Sequence, residues 1–307
     1  MSRILITGAS GFLGRHIASA LAQRGDFVVA LIRDGLTHWS TKLPANVFIN
    51  GGFEQVERAI AEYEVSTVIH LAASTQVSVA VANPVAAFEA NIEGTWKVLE
   101  ACRRQNVKRV IVASSDKAYS DGPVPYVETQ PLRPGGIYAT SKACADMLAT
   151  SYVQEYKMCI AITRCGNIFG PGHLNWSTLI PGTIRSLLRN EVPVLRSNGK
   201  ARRDYLFVED AVDGYLKLAD STVVGAFNFG CGGRGFSVLQ VVNAITEMMG
   251  SKVAPIIADN SNAVEIDEQV LDYSKAAKVL GWGPKHTLGE GLEKTVAWYR
   301  EYLKERS

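Results

Sequence analysis

The chain lacks the features that place a protein in a membrane or outside the cell. No apolar run approaches the roughly 18 residues that a membrane-spanning helix needs. Met1-Ser2-Arg3 leads directly into a short apolar run, without the profile of a signal peptide. The five cysteines are odd in number and include no Cys-x-x-Cys pair, which favours a reducing compartment. We therefore expect a cytoplasmic protein with no membrane partner.

The chain also has no large excess of positive or negative charge and no cluster of histidines. The 32 basic and 30 acidic side chains give a net charge of +2, and no long basic block is present, so we expect no nucleic-acid partner. The five histidines are scattered without ligand spacing, so we expect no metal site. At 307 residues the chain is long enough for one large α/β domain with a smaller lobe.

A glycine pattern follows the first predicted strand. Gly8-Ala9-Ser10-Gly11-Phe12-Leu13-Gly14 stands between the run Ile4–Thr7 and apolar residues at helical spacing. In this context Gly8 permits a tight turn, Gly11 lets the backbone approach a pyrophosphate, and Gly14 lets the helix pack close to the strand. We predict that this loop, including Ser10, Phe12 and Leu13, binds a dinucleotide at the helix N-terminus. The alternative is a structural glycine turn without a ligand.

Short apolar runs alternate with helical patterns along the first half of the chain. We predict strands at Ile4–Thr7, Phe27–Ile32, Val47–Ile49, Thr67–Leu71, Val110–Ala113 and Ile160–Thr163. We predict two long helices at Pro84–Cys102 and Tyr138–Tyr156. Such alternation predicts an α/β fold with a doubly wound parallel sheet and a ligand crevice at the carboxyl ends of the strands. Four residues at those ends should converge: Gly8, Leu71, Ser115 and Asn167.

The composition changes after Asn167, where glycine and proline break the chain into shorter elements. We expect a dinucleotide-binding Rossmann domain over residues 1–166 and a smaller C-terminal substrate lobe over residues 167–307. The run Ala226–Phe229 is a candidate strand of the main sheet. The segment at about 205–232 is therefore expected to return to the Rossmann domain.

A tyrosine and a lysine four residues apart form a candidate acid/base unit. Tyr138 and Lys142 share one helical face, and Ser115 follows an apolar strand. Free tyrosine has a pKa near 10, so a base active near pH 7 needs roughly 4 kcal/mol of phenolate stabilisation. The Lys142 ammonium and an oxidised nicotinamide ring are expected to supply it, while Ser115 holds the substrate hydroxyl. The alternative is an exposed helix with a packed Tyr138 and a solvated Lys142.

The glycine spacing and the Tyr-x-x-x-Lys pair together resemble the extended short-chain dehydrogenase/reductase family. Further segments match in the family's order: His70–Ala73, Asn91–Thr95, Arg164–Gly172, Arg203–Asp210, Asp272–Ala276 and Leu280–Trp282. The resemblance implies a Rossmann fold, a nicotinamide cofactor and a nucleotide-diphosphate hexose as substrate. It also implies a homodimer built from the helices Pro84–Cys102 and Tyr138–Tyr156. Alanines at 86, 87, 90, 143, 145 and 149 suit such helix contacts, or packing on the sheet.

Within this family, the two positions after the catalytic serine or threonine separate the reactions. Epimerases carry small or neutral residues there, whereas 4,6-dehydratases carry an acid and a base for the elimination. Here these positions hold Asp116 and Lys117. The Ser-Asp-Lys pattern resembles the CDP-glucose 4,6-dehydratase branch. So do Arg164–Asn167, Leu179–Pro181 and the run Asn262–Glu265, which replaces the usual Arg-Pro-Gly-Asp.

The resemblance thus implies a nucleotide-sugar 4,6-dehydratase with five catalytic residues. Tyr138 is the base toward the C4 hydroxyl, Lys142 lowers its pKa and binds the cofactor ribose, and Ser115 orients the hydroxyl. Asp116 protonates the departing 6-hydroxyl, and Lys117, acting as a neutral amine, takes the C5 proton. The alternatives are a structural Asp116–Lys117 ion pair, a 4-epimerase or decarboxylase, and a non-catalytic dinucleotide sensor. The intact Ser, Tyr and Lys set argues against the sensor.

The resemblance also suggests the remaining contacts. Leu71, Ala72 and Ala73 are expected to cover the cofactor, and the substrate is expected to contact Thr75, Asn167 and Arg203. Trp176 is a candidate base-stacking residue, although a packed core tryptophan is the preferred interpretation.

The choice of cofactor depends on the end of the second strand. Where the family usually has an acidic ribose ligand, this chain has Ile32 followed by Arg33, which favours NADP. Asp34 keeps NAD possible. Asn50-Gly51-Gly52 replaces the acidic adenine contact, and Arg15 is a second candidate phosphate ligand.

Overall fold

A seven-stranded sheet forms the centre of the molecule. The computed structural model describes residues 1–33, 43–120, 122–195, 197–233, 235–258 and 266–304. The strands are β1 (Arg3–Thr7), β2 (Phe27–Ile32), β3 (Val47–Asn50), β4 (Thr67–His70), β5 (Arg109–Ala113), β6 (Ile160–Cys165), β7 (Asn167–Phe169), β8 (Val194–Leu195), β9 (Arg202–Arg203), β10 (Tyr205–Phe207), β11 (Gly225–Phe229), β12 (Phe236–Ser237), β13 (Ile256–Ile257) and β14 (Glu268–Gln269). The central sheet has the order β11-β6-β5-β4-β1-β2-β3, and every neighbouring pair is parallel. The predicted doubly wound α/β fold is thus confirmed.

Helices cover both faces of this sheet. They are α1 (Phe12–Gln23), α2 (Val56–Glu62), α3 (Val77–Ala82), α4 (Pro84–Phe88), α5 (Gly94–Arg104), α6 (Ile137–Tyr156), α7 (Leu179–Leu188), α8 (Val208–Ala219), α9 (Val238–Met248), α10 (Ser274–Leu280) and α11 (Leu288–Lys304). Helices α1 and α8 bury their apolar sides in one core, and α2, α5 and α6 bury theirs in the other. Strands apolar on both faces are what such a two-layer cover requires.

The predicted helix Pro84–Cys102 is interrupted. A π-helical turn at Glu89–Glu93 separates α4 from α5 and carries the buried Asn91. The Asn91 amide donates to the Ser74 carbonyl (3.0 Å) and the Ser141 hydroxyl (2.8 Å), and its oxygen accepts from the Ser74 N–H (2.7 Å). Such turns often occur at functional positions. Here the turn ties the loop after β4 to α6.

The sheet reverses its strand order between β1 and β4, which opens a crevice at the carboxyl ends of these strands. The smaller sheets lie in the C-terminal part: β7 pairs with β10, β9 lies between β12 and β14, and β8 pairs with β13. Strand β11 nevertheless joins the main sheet beside β6, while the domain boundary at residue 166 stays a prediction. Within the described ranges, no helix is long and apolar enough to cross a bilayer.

Candidate active site

A cavity of about 700 Å³ lies at the carboxyl ends of β1, β4, β5 and β6. The four residues expected to converge all line it. Its lining contains these predicted site residues: Gly8, Ser10, Gly11, Phe12, Leu13, Gly14, Arg33, Leu71, Ala72, Ala73, Thr75, Ser115, Asp116, Lys117, Tyr138, Lys142 and Asn167. The predicted substrate ligand Arg203 is not part of the lining. It lies on β9, where its Nη1 donates to the Arg202 carbonyl (2.8 Å).

The glycine loop forms one end of the cavity because its glycines leave no room for side chains. A Cβ on Gly14 would lie 2.2 Å from the Gly8 carbonyl oxygen, and a Cβ on Gly8 would lie 2.8 Å from the Ala72 nitrogen. Gly8 also has a φ of +72°, which favours glycine. No side chain caps the first turn of α1. This end of the cavity therefore fits the phosphates of a dinucleotide.

The end of β2 places a cation at the same end of the cavity. Ile32 is only 2% exposed, whereas Arg33 is exposed and lines the cavity. Strand β3 pairs in register, Ile32 beside Asn50, and the following Gly51 and Gly52 also line the cavity. Asp34 lies outside the described residues, as does the run Asn262–Glu265.

Tyr138 and Lys142 face the cavity from α6, but the chain alone does not activate the tyrosine. Desolvation raises the pKa of Tyr138 to about 12; the Ser115 hydroxyl lowers it and the nearby Asp116 charge raises it. Lys142 is 5% exposed, and burial lowers its pKa to about 8. Its ammonium donates to the Ala113 carbonyl. The interpretation as an exposed helix with a solvated lysine is therefore wrong. The expected lowering of the tyrosine pKa does not come from the protein by itself.

Asp116 and Lys117 form the ion pair that was the alternative interpretation, but the pair is incomplete. Asp116 is 1% exposed, and its Oδ1 accepts from the Ser115 hydroxyl (3.0 Å) and the Lys117 ammonium (3.4 Å). Lys117 also donates to Asn167 Oδ1 (3.2 Å). Asp116 Oδ2 is buried and has no hydrogen-bond partner within the described part of the chain. Since buried polar atoms are normally paired, one carboxylate oxygen is left for a ligand in the cavity.

His70, at the end of β4, connects elements that surround the cavity through its two ring nitrogens. Its Nδ1 lies 2.7 Å from the Thr7 hydroxyl and its Nε2 lies 3.2 Å from the Thr95 hydroxyl. The Thr95 hydroxyl donates to the Asn91 carbonyl (2.6 Å), so it accepts from His70 Nε2–H, and Thr7 donates to Nδ1. Burial lowers the pKa of His70 to about 3, so the ring is neutral and ties β1 to β4 and to the π-helical turn.

Several cavity residues were not found by sequence reasoning. Cys165 ends β6, and the others come from the C-terminal part: His173, Asn175, Thr178, Tyr205 and Tyr215. The ring of His173 stacks on Phe12 at 4.5 Å, and burial lowers its pKa to about 4. Trp176 does not line the cavity: it packs against Tyr299, with the Arg185 guanidinium over its ring. The glycines after Asn167 predicted a loop in this region, but they did not predict that the loop contacts α1.

Comparison with known proteins identifies the family. The model of the NAD-dependent epimerase/dehydratase family matches residues 4–230. The chain belongs to this family. The predicted membership of the extended short-chain dehydrogenases/reductases is thereby confirmed.

The relatives include both kinds of enzyme that the family name covers. A dTDP-glucose 4,6-dehydratase of Mycolicibacterium smegmatis is 31% identical over 97% of this chain and 93% of the relative. A UDP-glucose 4-epimerase of Thermotoga maritima, solved with UDP-glucose, has a TM-score of 0.91 at 28% identity, covering 98% of this chain and 99% of that one. The UDP-glucose 4-epimerase of Thermus thermophilus, solved with NAD, has a TM-score of 0.88 at 30% identity, covering 97% and 99%. The chain is thus a nicotinamide-dependent, nucleotide-sugar-modifying enzyme, and the likeness does not distinguish the reaction.

The buried ammonium of Lys142 yields a test of the site without any ligand. Its pKa falls from 10.5 to about 8 on folding, so the unfolded chain binds more protons between these values. Below pH 8 the folded parent carries the whole free-energy cost of burying this charge, and above pH 10.5 it carries none, so the parent becomes more stable as the pH rises through this range. We expect the free energy of unfolding of Lys142→Met, relative to the parent, to fall by about 3 kcal/mol across this range, measured by urea unfolding. The exposed Lys252→Met should show no such change, and a constant Lys142→Met difference would contradict the burial.

Proposed function

We propose that this enzyme is a nucleotide-sugar 4,6-dehydratase, which converts an NDP-hexose to an NDP-4-keto-6-deoxyhexose. The observation that carries the proposal is the incomplete Asp116–Lys117 pair. Both side chains line the same cavity as Tyr138 and Lys142. One Asp116 oxygen accepts from the Lys117 amine, and the other is buried and has no hydrogen-bond partner among the described residues. The unpaired oxygen supports a catalytic role only together with this position in the cavity, because Asp213, paired with Lys285 outside the cavity, also has a buried oxygen without a partner in the described part of the chain.

Three of the five side chains then divide the proton transfers of the reaction. Tyr138, as phenolate, takes the C4 hydroxyl proton while Ser115 orients that hydroxyl. Lys117, as a neutral amine, takes the C5 proton and later returns it to C5. Asp116, as the acid, gives its proton to the C6 oxygen, which leaves as water. The substrate therefore loses one water and no net hydride.

The cavity end at Gly8–Gly14 is proposed to hold the cofactor, with Leu71, Ala72 and Ala73 covering it and Lys142 on its ribose. A nicotinamide held there would supply the redox chemistry of the reaction, as acceptor of the C4 hydride and as its donor to C6. Arg33 supports NADP, since its guanidinium suits a 2′-phosphate. The Thermus relative was solved with NAD.

The substrate is proposed to be a nucleotide-diphosphate hexose that contacts Thr75 and Asn167, which line the cavity. Arg203 lies two residues before Tyr205, which does line it, so a role for Arg203 on the diphosphate requires the guanidinium to turn inward. The Thermotoga relative was solved with UDP-glucose. The Ser115-Asp116-Lys117 pattern favours a CDP-hexose. All five cysteines are free, which supports a cytoplasmic location.

The test is to incubate the purified enzyme, with NAD or NADP, against CDP-, dTDP-, UDP- and GDP-hexoses and to follow products by mass and proton NMR. Loss of one water with a new C6 methyl signal is expected for one of them. Unchanged mass with an inverted C4 would instead establish an epimerase and would refute the dehydratase proposal.

Asp116→Asn removes the proposed acid while keeping its shape. We expect dehydration to slow by about 10²- to 10⁴-fold, the usual contribution of a general acid, with oxidation at C4 still measurable as reduced cofactor. The matched control is Asp213→Asn on α8, which also has a buried, unpartnered Oδ2 but does not line the cavity. Equal effects of the two variants would argue that Asp116 is only structural.

Arg33→Ala tests the cofactor proposal. Loss of a charge-assisted hydrogen bond costs about 1.5–3 kcal/mol, so we expect NADPH to bind roughly 10- to 100-fold more weakly and NADH to change little. Fluorescence titration of the reduced cofactors measures both. The exposed Arg58→Ala serves as the control. Tighter binding of NADH by the parent, with no effect of Arg33→Ala on NADPH, would count against NADP.

We further propose a homodimer, on the evidence of an apolar surface over α3 to α6. Its large exposed side chains, with their exposed fractions, are Val77 (51%), Val79 (48%), Val81 (63%), Val85 (63%), Trp96 (42%) and Met147 (62%). Of the six alanines considered for this contact, Ala87, Ala143, Ala145 and Ala149 are buried within the subunit, whereas Ala86 is exposed. Helices α3, α4 and α5 all contact α6, and large apolar side chains exposed on neighbouring helices are typical of an interface.

Sedimentation velocity at micromolar concentration should show a dimer for the parent chain. Met147→Glu places a charge in the apolar surface and should give a monomer, because burying an unpaired carboxylate is costly. Val279→Glu on α10 replaces a residue that is also exposed (47%) but lies elsewhere, and should leave the dimer intact. A monomeric parent would refute the proposal.

A further inference from the structure

Behind the cavity wall, Arg164 makes an unusually complete set of contacts. It lies on β6, is 5% exposed, and does not line the cavity. Its Nε and Nη2 donate to the two carboxylate oxygens of Asp146 (2.8 and 2.9 Å). Its Nη1 donates to the Tyr119 hydroxyl (2.6 Å), and the guanidinium lies 4.8 Å from the centre of the Tyr119 ring. This bidentate pair fixes the orientation of the guanidinium relative to the carboxylate.

Tyr119 connects this arginine to the turn that carries Asp116 and Lys117. That turn is a single 3₁₀ turn, Asp116–Ala118, and the Tyr119 N–H donates to the Asp116 carbonyl (3.0 Å). The Tyr119 hydroxyl donates in turn to Asn228 Oδ1 (2.9 Å), so both its donor and its acceptor are used. Arg164 and Asn228 are direct neighbours on β6 and β11. Two adjacent strands therefore anchor the turn through one phenol.

Asp146 connects the same arginine to the other half of the site. Tyr138, Lys142 and Asp146 follow one another at intervals of four residues on α6 and so share one face of the helix. Arg164 thus contacts the helix that carries Tyr138 and Lys142 on one side and the anchor of the Asp116 turn on the other.

We propose that Arg164 and Tyr119 are positioning residues that fix the Asp116–Lys117 pair relative to the Tyr138–Lys142 pair. This inference rests on the proposed function, since a dehydratase alone needs both pairs on one sugar ring. A displacement of about 1 Å can cost roughly 100-fold in rate, and a three-residue turn is not rigid by itself. Tyr138 and Lys142, the pair proposed for the oxidation at C4, lie on the 20-residue helix α6, which fixes their positions without this anchor. Loss of the anchor should therefore impair elimination more than oxidation.

The decisive variant is Tyr119→Phe, which keeps the ring between Arg164 and the stacked Tyr126 (4.9 Å) but removes the hydroxyl. In a single turnover, we expect C4 oxidation to change less than about 3-fold and elimination to slow about 10- to 100-fold. Reduced nicotinamide should then accumulate, seen by its absorbance, together with the 4-keto-hexose. Cofactor affinity should stay at the parent's value, because the phenol does not line the cavity.

Two further variants make the result specific. Tyr152→Phe removes a tyrosine hydroxyl of α6 that donates to Glu100 (3.3 Å) rather than to Arg164 or to residues next to the Asp116 turn, and should leave the ratio of oxidation to elimination near the parent's. Arg164→Lys keeps a positive charge beside Asp146 but loses the fork, and should shift the ratio as Tyr119→Phe does. Thermal unfolding checks that each variant is folded.

The outcomes separate the inference from the proposed function. If the parent gives no dehydrated product with any nucleotide sugar, the proposed function has failed. If the parent dehydrates and Tyr119→Phe slows both steps equally, or neither, the positioning role is wrong. An equal shift in Tyr152→Phe would also overturn it, because the cause would then be a general loosening of the protein.

Discussion

Parallel pairing of β1, β4, β5 and β6 is the constraint on which the rest of this structure depends. It brings the carboxyl ends of the strands to one edge, so that Gly8, Leu71, Ser115 and Asn167, remote in sequence, line one cavity. The neutral His70 at the end of β4 is hydrogen-bonded to Thr7 at the end of β1 and to Thr95, and so holds these two strand ends together. Asn91 holds the loop after β4 to α6 from the side.

Burial governs the chemistry of this cavity. Desolvation raises the pKa of Tyr138 and lowers that of Lys142, so each group is driven toward its neutral form. The Tyr138 phenolate therefore needs a nearby positive charge, whereas Lys142, with a pKa of about 8, stays mostly protonated at pH 7. One Asp116 oxygen accepts from Ser115 and Lys117, and the other is left for a ligand.

The buried charges behind the cavity wall have a different character, since every nitrogen or oxygen atom of the charged group has a hydrogen-bond partner. Arg164 donates to Asp146, Tyr119 and the Glu128 carbonyl (3.3 Å). Asp204 is held in the same way, accepting from the Cys231 N–H (2.5 Å) and the Leu271 N–H (3.1 Å), where burial raises its pKa to about 6. Fully partnered charges of this kind hold elements in place, whereas Asp116, with one unpartnered oxygen among the described residues, lines the cavity.

The sequence by itself determined the βα alternation, the glycine loop and the Ser115, Tyr138 and Lys142 set, because period, turn chemistry and helical spacing are local properties. It also placed the strands of the central sheet to within two residues. Only the tertiary structure decided that the helix over Pro84–Cys102 breaks at a π-helical turn, that His173 stacks on Phe12, and that Arg203 stays out of the lining. It alone showed that Arg164 contacts both Asp146 on α6 and Tyr119 beside the Asp116 turn. These features depend on which distant side chains share a buried volume, and no local pattern carries that information.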